Sequence, residues 1–170
     1  GVDDLKLSPM NSHAPVLVCP DSFKGTLRAT QVAAAIGRGL ERAGLRPPDL
    51  CPVADGGEGT QEALLTALGG ETAGAEAVDP LGRPIRAGFA LIEDGETAIV
   101  DVAEASGLQR VAEPERDAEK ATSYGTGQLI AAAIDAGARE VIVCAGGSAT
   151  TDGGAGAIEA IEEAGGLRGA

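Results

Sequence analysis

The nine residues Gly146-Gly147-Ser148-Ala149-Thr150-Thr151-Asp152-Gly153-Gly154 constrain this chain more than any other stretch. Four glycines, three hydroxyls and one aspartate in that span exceed what a tight turn requires. They follow the cleanest apolar run of the sequence, Val141 to Ala145, and precede a helical pattern that runs to about Ala164. A short buried strand feeding a glycine-rich loop and then a helix is the unit from which parallel sheets are built. Two more such units stand near the start. Val16 to Cys19 is an apolar run ended by Pro20, followed by the polar loop Asp21-Ser22-Phe23-Lys24-Gly25-Thr26. A helix is expected from about Thr30 to Ala43, with Gly44 closing it. Asp49 to Val53 then reads as a strand, Ala54 to Gly59 as a glycine-rich loop, and Thr60 to Leu68 as a helix stopped by Gly69-Gly70. A fourth loop, Ser123-Tyr124-Gly125-Thr126-Gly127, opens a helix to about Ala136 without a strand in front of it.

Between these units the texture changes. Residues 72–79 and 84–92 are strand-like around the turn Pro80-Leu81-Gly82, and Glu93-Asp94-Gly95 turns the chain into the run Ala98 to Val102. This is an antiparallel meander, which strand-helix units would not need. The expected fold is therefore α/β: a parallel sheet with helices on both faces over residues 15–70 and 119–170, with a smaller β-rich lobe over 71–118 inserted into it. Residues 1–14 are set aside as a tag or disordered start, Met10 reading as a native initiator.

Composition narrows the function classes. The 170 residues include 26 glycines but only three aromatics, Phe23, Phe89 and Tyr124, so the core must come from small aliphatic side chains between layers. A net charge of -13 argues against a nucleic-acid or anionic-membrane partner, while leaving room for a nucleotide at a local positive site. Cys19, Cys51 and Cys144 lie far apart in sequence without C-x-x-C spacing, which favours reduced thiols in a cytoplasmic protein over a disulfide framework or a zinc site. His13, the sole histidine, sits in the polar start, so Ser-His-Asp or histidine-metal chemistry is not expected.

The loops carry Ser22, Lys24, Asp55, Glu58, Thr126, Ser148, Thr150 and Asp152. In an open parallel sheet such loops gather at the carboxyl ends of the strands, where ligands bind, and helix-start N–H groups attract anions. Hydroxyls and a lysine beside carboxylates match phosphoryl transfer, which needs cationic stabilisation, a place for Mg2+ and a group that accepts the alcohol proton. Plain structural readings stand beside this one. Asp55 and Asp152 suit helix N-caps, and a lone lysine such as Lys24 is ordinarily solvated. There is no G-x-x-x-x-G-K-[ST] P-loop, and no loop gives the dinucleotide fingerprint in its proper context.

At five places the sequence resembles the bacterial glycerate kinase family, over about residues 15 to 165. The stretches are Pro20-Asp21-Ser22-Phe23-Lys24-Gly25, Val53-Ala54-Asp55-Gly56-Gly57-Glu58-Gly59-Thr60, Asp79-Pro80-Leu81-Gly82, Ser123 to Gly127 and Gly146 to Gly154. The resemblance implies a Rossmann-like domain with a smaller second domain, the active site in the cleft between them, and ATP- and Mg2+-dependent phosphorylation of D-glycerate to 2- or 3-phosphoglycerate. It also implies that this chain corresponds to the amino-terminal half of a family member, and that Thr151 stands where Asn is often expected. A truncated sheet would leave an open edge through which the chain self-associates. On this resemblance Lys24 would neutralise phosphoryl or carboxylate charge. Asp55 and Asp152 would supply the Mg2+ ligand and the base, in an order left open. Asp21, Ser22, Gly56, Gly57, Glu58, Thr126, Gly146, Gly147, Ser148 and Thr150 would hold substrate or phosphate oxygens. The alternatives are a binding-only nucleotide or anion domain and, more remotely, a doubly wound dehydrogenase.

Overall fold

In a computed structural model, residues 15–23, 26–57 and 59–167 are described; the expected start, residues 1–14, lies outside them. The chain divides into two compact units, Gly1–Val53 and Ala54–Ala170.

In the first unit, β1 (Leu17–Val18) pairs in parallel with β2 (Asp49–Leu50). Pro20 and Pro52 lack ladder donors, which keeps the formal strands short. The hydrogen bonding nevertheless continues, with the amides of Asp49, Cys51 and Val53 donating to Val16, Val18 and Pro20 at 2.8, 2.9 and 3.0 Å. Helix α1 (Ala29–Arg42) joins the strands and buries Val32, Ala33 and Gly37. It ends as the sequence predicts: Gly44 takes φ +82°, and the Leu45 amide reaches back to the Leu40 carbonyl.

The second unit is built on one four-stranded sheet in the order β3-β4-β5-β6. Strands β3 (Glu71–Val78), β4 (Pro84–Ile92) and β5 (Thr97–Asp101) are antiparallel neighbours, while β6 (Glu140–Cys144) lies parallel to β5. Residues 71–118 therefore do not form a lobe of their own: the meander shares its sheet with the strand before the Gly146–Gly154 loop. The β5–β6 pairing joins residues 43 apart in sequence, Thr97 with Glu140 through Asp101 with Cys144, and no local pattern announces such a pairing.

Alternation in β5 splits the core. Ala98 and Val100 face a cluster with Ala77, Ala87, Phe89, Leu129 and Ala133, so α4 (Tyr124–Asp135) covers that side. Ile99 faces the other way, with Ala90, Ile92, Cys144 and the half-buried Leu64 and Leu65 of α2 (Thr60–Leu68). Helices thus cover both faces, as the α/β class requires. A short α3 (Val102–Ser106), absent from the sequence expectation, follows β5 directly, and α5 (Ala155–Glu163) packs on α4. At the β3–β4 turn the buried Asp79 carboxylate accepts the Leu81 and Arg83 amides at 2.8 and 2.9 Å and the Arg83 guanidinium at 2.5 Å. Desolvation alone would raise its pKa, but these donors hold it below the usual carboxylate range.

The contact between α4 and α5 depends on glycine. A Cβ at Gly127 would strike the Ala157 carbonyl and the Ala160 methyl, and one at Gly125 would strike the Val78 carbonyl. Gly127→Ala should therefore cost about 1–3 kcal/mol, since helix backbones must separate. Gly39→Ala in α1, where a Cβ meets nothing within 4 Å, should instead stabilise by about 0.5–1 kcal/mol. Paired urea melts of the two variants check both signs.

Candidate functional site

The Gly146–Gly154 loop leaves β6 and is pinned by backbone bonds. The Leu108 amide donates to the Gly147 carbonyl at 2.7 Å, the Ala149 amide to Ser106 at 2.9 Å, and the Thr151 amide and hydroxyl to Ala118 at 3.1 and 2.9 Å. Gly147 and Ser148 remain exposed between these anchors. Their amides point to no backbone partner among the described residues. From Ser148 a hydroxyl chain runs inward: Ser148 Oγ lies 3.1 Å from Thr150 Oγ1, which donates to Asp152 Oδ1 at 3.1 Å.

Asp152 ends that chain and is saturated. Its Oδ1 also accepts the Gly154 amide at 3.1 Å. Its Oδ2 accepts the Ser123 amide and hydroxyl at 2.8 and 2.7 Å and the Gly156 amide at 3.3 Å. Five donors fill a carboxylate that offers about four lone-pair sites. Desolvation works against ionisation here, yet the Ser123, Gly154 and Gly156 donors prevail and lower the pKa to about 2. Ser123 Oγ in turn accepts the Ala157 amide at 3.0 Å. Asp152 therefore ties the starts of α4 and α5 together. The metal and base roles expected of it do not fit this geometry, because no lone pair is left to give; nor is it the N-cap of α5, which is Gly154, although it accepts amides at that helix start.

The Ala54–Gly57 loop lies against the same region: a Cβ at Gly57 would sit 3.6 Å from the Gly146 Cα, so the two glycine loops meet backbone to backbone. Asp55 is exposed, and its Oδ1 accepts the Gly57 amide at 3.1 Å, while Oδ2 has no partner among the described residues. Gly56, at φ +89°, turns the chain there. Beneath the loop, the buried Asp101 at the end of β5 accepts the Gly59 amide at 2.9 Å and the Gln61 amide at 3.3 Å, anchoring the start of α2. The sequence reading passes over Asp101; its one signal is a carboxylate ending the apolar run Ala98–Val100. Beside it, burial, then Asp101, pushes the Cys144 thiol up to about 12, so this cysteine is inert.

The other predicted residues separate. Thr126 is buried and shares a hydrogen bond of 2.7 Å with Ser106, so its hydroxyl faces the interior and not a ligand. Ser123 to Gly127 is a packing motif of α4. In the first unit the Ser22 amide donates to Asp21 Oδ1 at 2.6 Å. Lys24 and Glu58 lie outside the described residues. Among the described residues no cluster of three or more His, Cys, Asp or Glu could hold a metal, and no helix is long and apolar enough to cross a membrane.

Glycine loops and helix starts gathered at the carboxyl ends of parallel strands β5 and β6 define an α/β domain of the class that takes its ligand at that edge. Comparison with known proteins gives the family. The sequence profile of the Glycerate kinase family matches residues 16–164, and the chain belongs to that family. It is 47% identical over 148 residues to the glycerate kinase of Bacillus subtilis, covering 86% of this chain and 38% of that protein. It is 43% identical over 150 residues to the glycerate 2-kinase of Escherichia coli, covering 86% and 39%. A solved structure assigned as glycerate kinase 2 of Salmonella typhimurium LT2 superposes with a TM-score of 0.69 at 43% identity, over 86% of this chain and 40% of that one. The chain thus spans about 40% of the length of the relatives it matches.

Because the Asp152 pKa is depressed, its stabilisation is complete above the ordinary aspartate value of 3.8 and is lost as pH falls through about 2. Asp152→Asn should cost about 2 kcal/mol at pH 7. In urea titrations the gap to the unsubstituted protein should fall below half of that at pH 2.5. An undiminished gap would remove the carboxylate from this role.

Proposed function

We propose that the protein carrying this chain phosphorylates D-glycerate from ATP with Mg2+ in the cytoplasm, and that the product is 2-phosphoglycerate. Membership of the glycerate kinase family supports the reaction, and the name of the Escherichia coli relative, glycerate 2-kinase, supports the position. The single structural observation behind it is the meeting of the two glycine loops, where a Cβ at Gly57 would lie 3.6 Å from the Gly146 Cα, with Asp55 exposed on one loop and Gly147 and Ser148 exposed on the other. Mg2+ binds through one or two carboxylates plus substrate phosphates, so a lone Asp55 Oδ2 suits it. When bound, the ion would neutralise charge on the transferring phosphoryl group. The amides of Gly56 and Gly147 and the Ser148 hydroxyl would hold phosphate or carboxylate oxygens, with Thr150 fixing the Ser148 rotamer, whereas the Gly57 and Gly146 amides are already given to Asp55 Oδ1 and the Cys144 carbonyl. On the family resemblance, Lys24 would neutralise charge on the phosphoryl group or the glycerate carboxylate, and Asp21, Ser22 and Glu58 would be further ligand contacts. Asp152 would orient the loop without touching substrate. Ile142 and Val143, exposed on the edge strand β6, are the surface through which self-association would form.

Glycerate-dependent ADP formation with Mg-ATP tests this on the chain alone and on a form extended through its natural downstream sequence. Turnover is expected in the extended form. There, Lys24→Ala and Asp55→Asn should each lower kcat by about 100-fold or more with unchanged melting. Nucleotide binding without turnover in both forms would favour the binding-only alternative. Near-normal turnover of Asp55→Asn would overturn its assignment.

A further inference from the structure

The first unit brings together two cysteines that lie far apart in sequence. The register Leu17↔Asp49 and Val18↔Leu50 makes Cys19 and Cys51 the next parallel pair, and the amide of Cys51 on Val18 and of Val53 on Pro20 carry the ladder past both. Paired residues of parallel strands send their side chains to one face. Both cysteines are free and exposed. Each is followed by a proline, Pro20 and Pro52, which holds the preceding residue in extended backbone. Two Cys-Pro dipeptides in register are thus pre-organised against one another, the first immediately preceding Asp21 and Ser22 in the chain.

We propose that Cys19 and Cys51 are a redox-active thiol pair that closes reversibly to an intramolecular disulfide, with a small-molecule disulfide of the oxidised-glutathione class as oxidant. One cysteine thiolate attacks the small disulfide and displaces a thiolate, leaving a mixed disulfide on the protein. The other cysteine then attacks the protein sulfur of that mixed disulfide and displaces the second small thiolate. The protein gives up two protons and two electrons, and the oxidant leaves as two thiols. Neighbouring strands lie about 4.8 Å apart, inside the Cα separation of about 4.4–6.8 Å that disulfides span. Parallel pairing holds the Cβ atoms at a similar distance, wider than the usual ~3.8 Å, so closure must draw the strand ends together. Such a bond belongs with the labile, reducible kind and not with structural staples. Desolvation, then the neighbouring Cys51 and Asp49, raises the Cys19 thiol, so exchange should quicken as pH rises above neutrality.

The test treats the native protein with oxidised glutathione at pH 8, quenches with an alkylating agent and maps the peptides. Free-thiol titration should fall by two per chain, with Cys144 reacting only after denaturation. A Cys19–Cys51 crosslinked peptide should appear in a monomeric product, and dithiothreitol should restore both thiols. Cys19→Ser and Cys51→Ser should each stop at a stable mixed disulfide on the remaining partner. Should either variant fail to fold, the map of the unsubstituted protein decides alone. A persistent mixed disulfide there, a chain-to-chain crosslink, or retention of both thiols would overturn the proposal.

Discussion

The carboxylate of Asp152 is the point on which the second unit turns. Two helix starts and one loop end would otherwise leave several amides without acceptors, and each buried orphan costs on the order of 1–3 kcal/mol. One side chain answers for the amides of Ser123, Gly154 and Gly156 and for the hydroxyls of Ser123 and Thr150. Reaching that arrangement dictates the glycines around it. Gly153 and Gly154, at φ +62° and +85°, wrap the chain about the carboxylate, and a Cβ at Gly156 would strike the Thr122 hydroxyl. The glycine loop accordingly has two halves: Gly153 to Gly156 closes around Asp152, while Gly146 to Ser148 is left facing outward.

The acidic composition looks different once the buried and half-buried carboxylates are placed. Asp79, Asp101 and Asp152 all accept backbone amides at a turn or a helix start, and only Asp79 adds a guanidinium. Backbone amides and helix dipoles thus take the place of cations, a workable exchange because hydrogen bonds to a charged acceptor are about twice as strong as neutral ones. A protein of net charge -13 that handles an anion must rely on the same resource. Its positive potential is local, in amides such as those of Gly147 and Ser148, and not in the field of the whole surface.

What the sequence disclosed follows from how local each feature is. α2 at Thr60–Leu68 and β4 at Pro84–Ile92 are legible to the residue, because glycines and a proline turn bracket them. α3 is not, because β5 runs straight into Val102–Ser106 through Asp101, whose carboxylate is committed to the start of α2 and makes no side-chain cap on α3. The single sheet of the second unit is not legible either, since the β5–β6 pairing is non-local. In the candidate site the Asp55 loop and the Gly146–Ser148 loop are legible as glycine turns. Thr126 and Asp152 were legible as special positions but not as internal ones, because what occupies them, Ser106 and Ser123, is distant in sequence.

A family resemblance carried by short motifs inherits the same ambiguity. Gly125-Thr126-Gly127 and Gly146-Gly147-Ser148 are alike as strings, and both lie within the segment matched to the glycerate kinase family. Yet the first is rich in glycine because α4 must approach Val78 and Ala157 closely, and the second leaves its backbone exposed. The two aspartates divide in the same way: Asp152 has every lone pair filled, and Asp55 has one oxygen without a partner among the described residues. A side chain whose hydrogen bonds are all made inside the protein can position a loop but cannot bind what arrives from outside. Of these two aspartates, Asp55 is therefore the one able to meet a cation or a substrate hydroxyl.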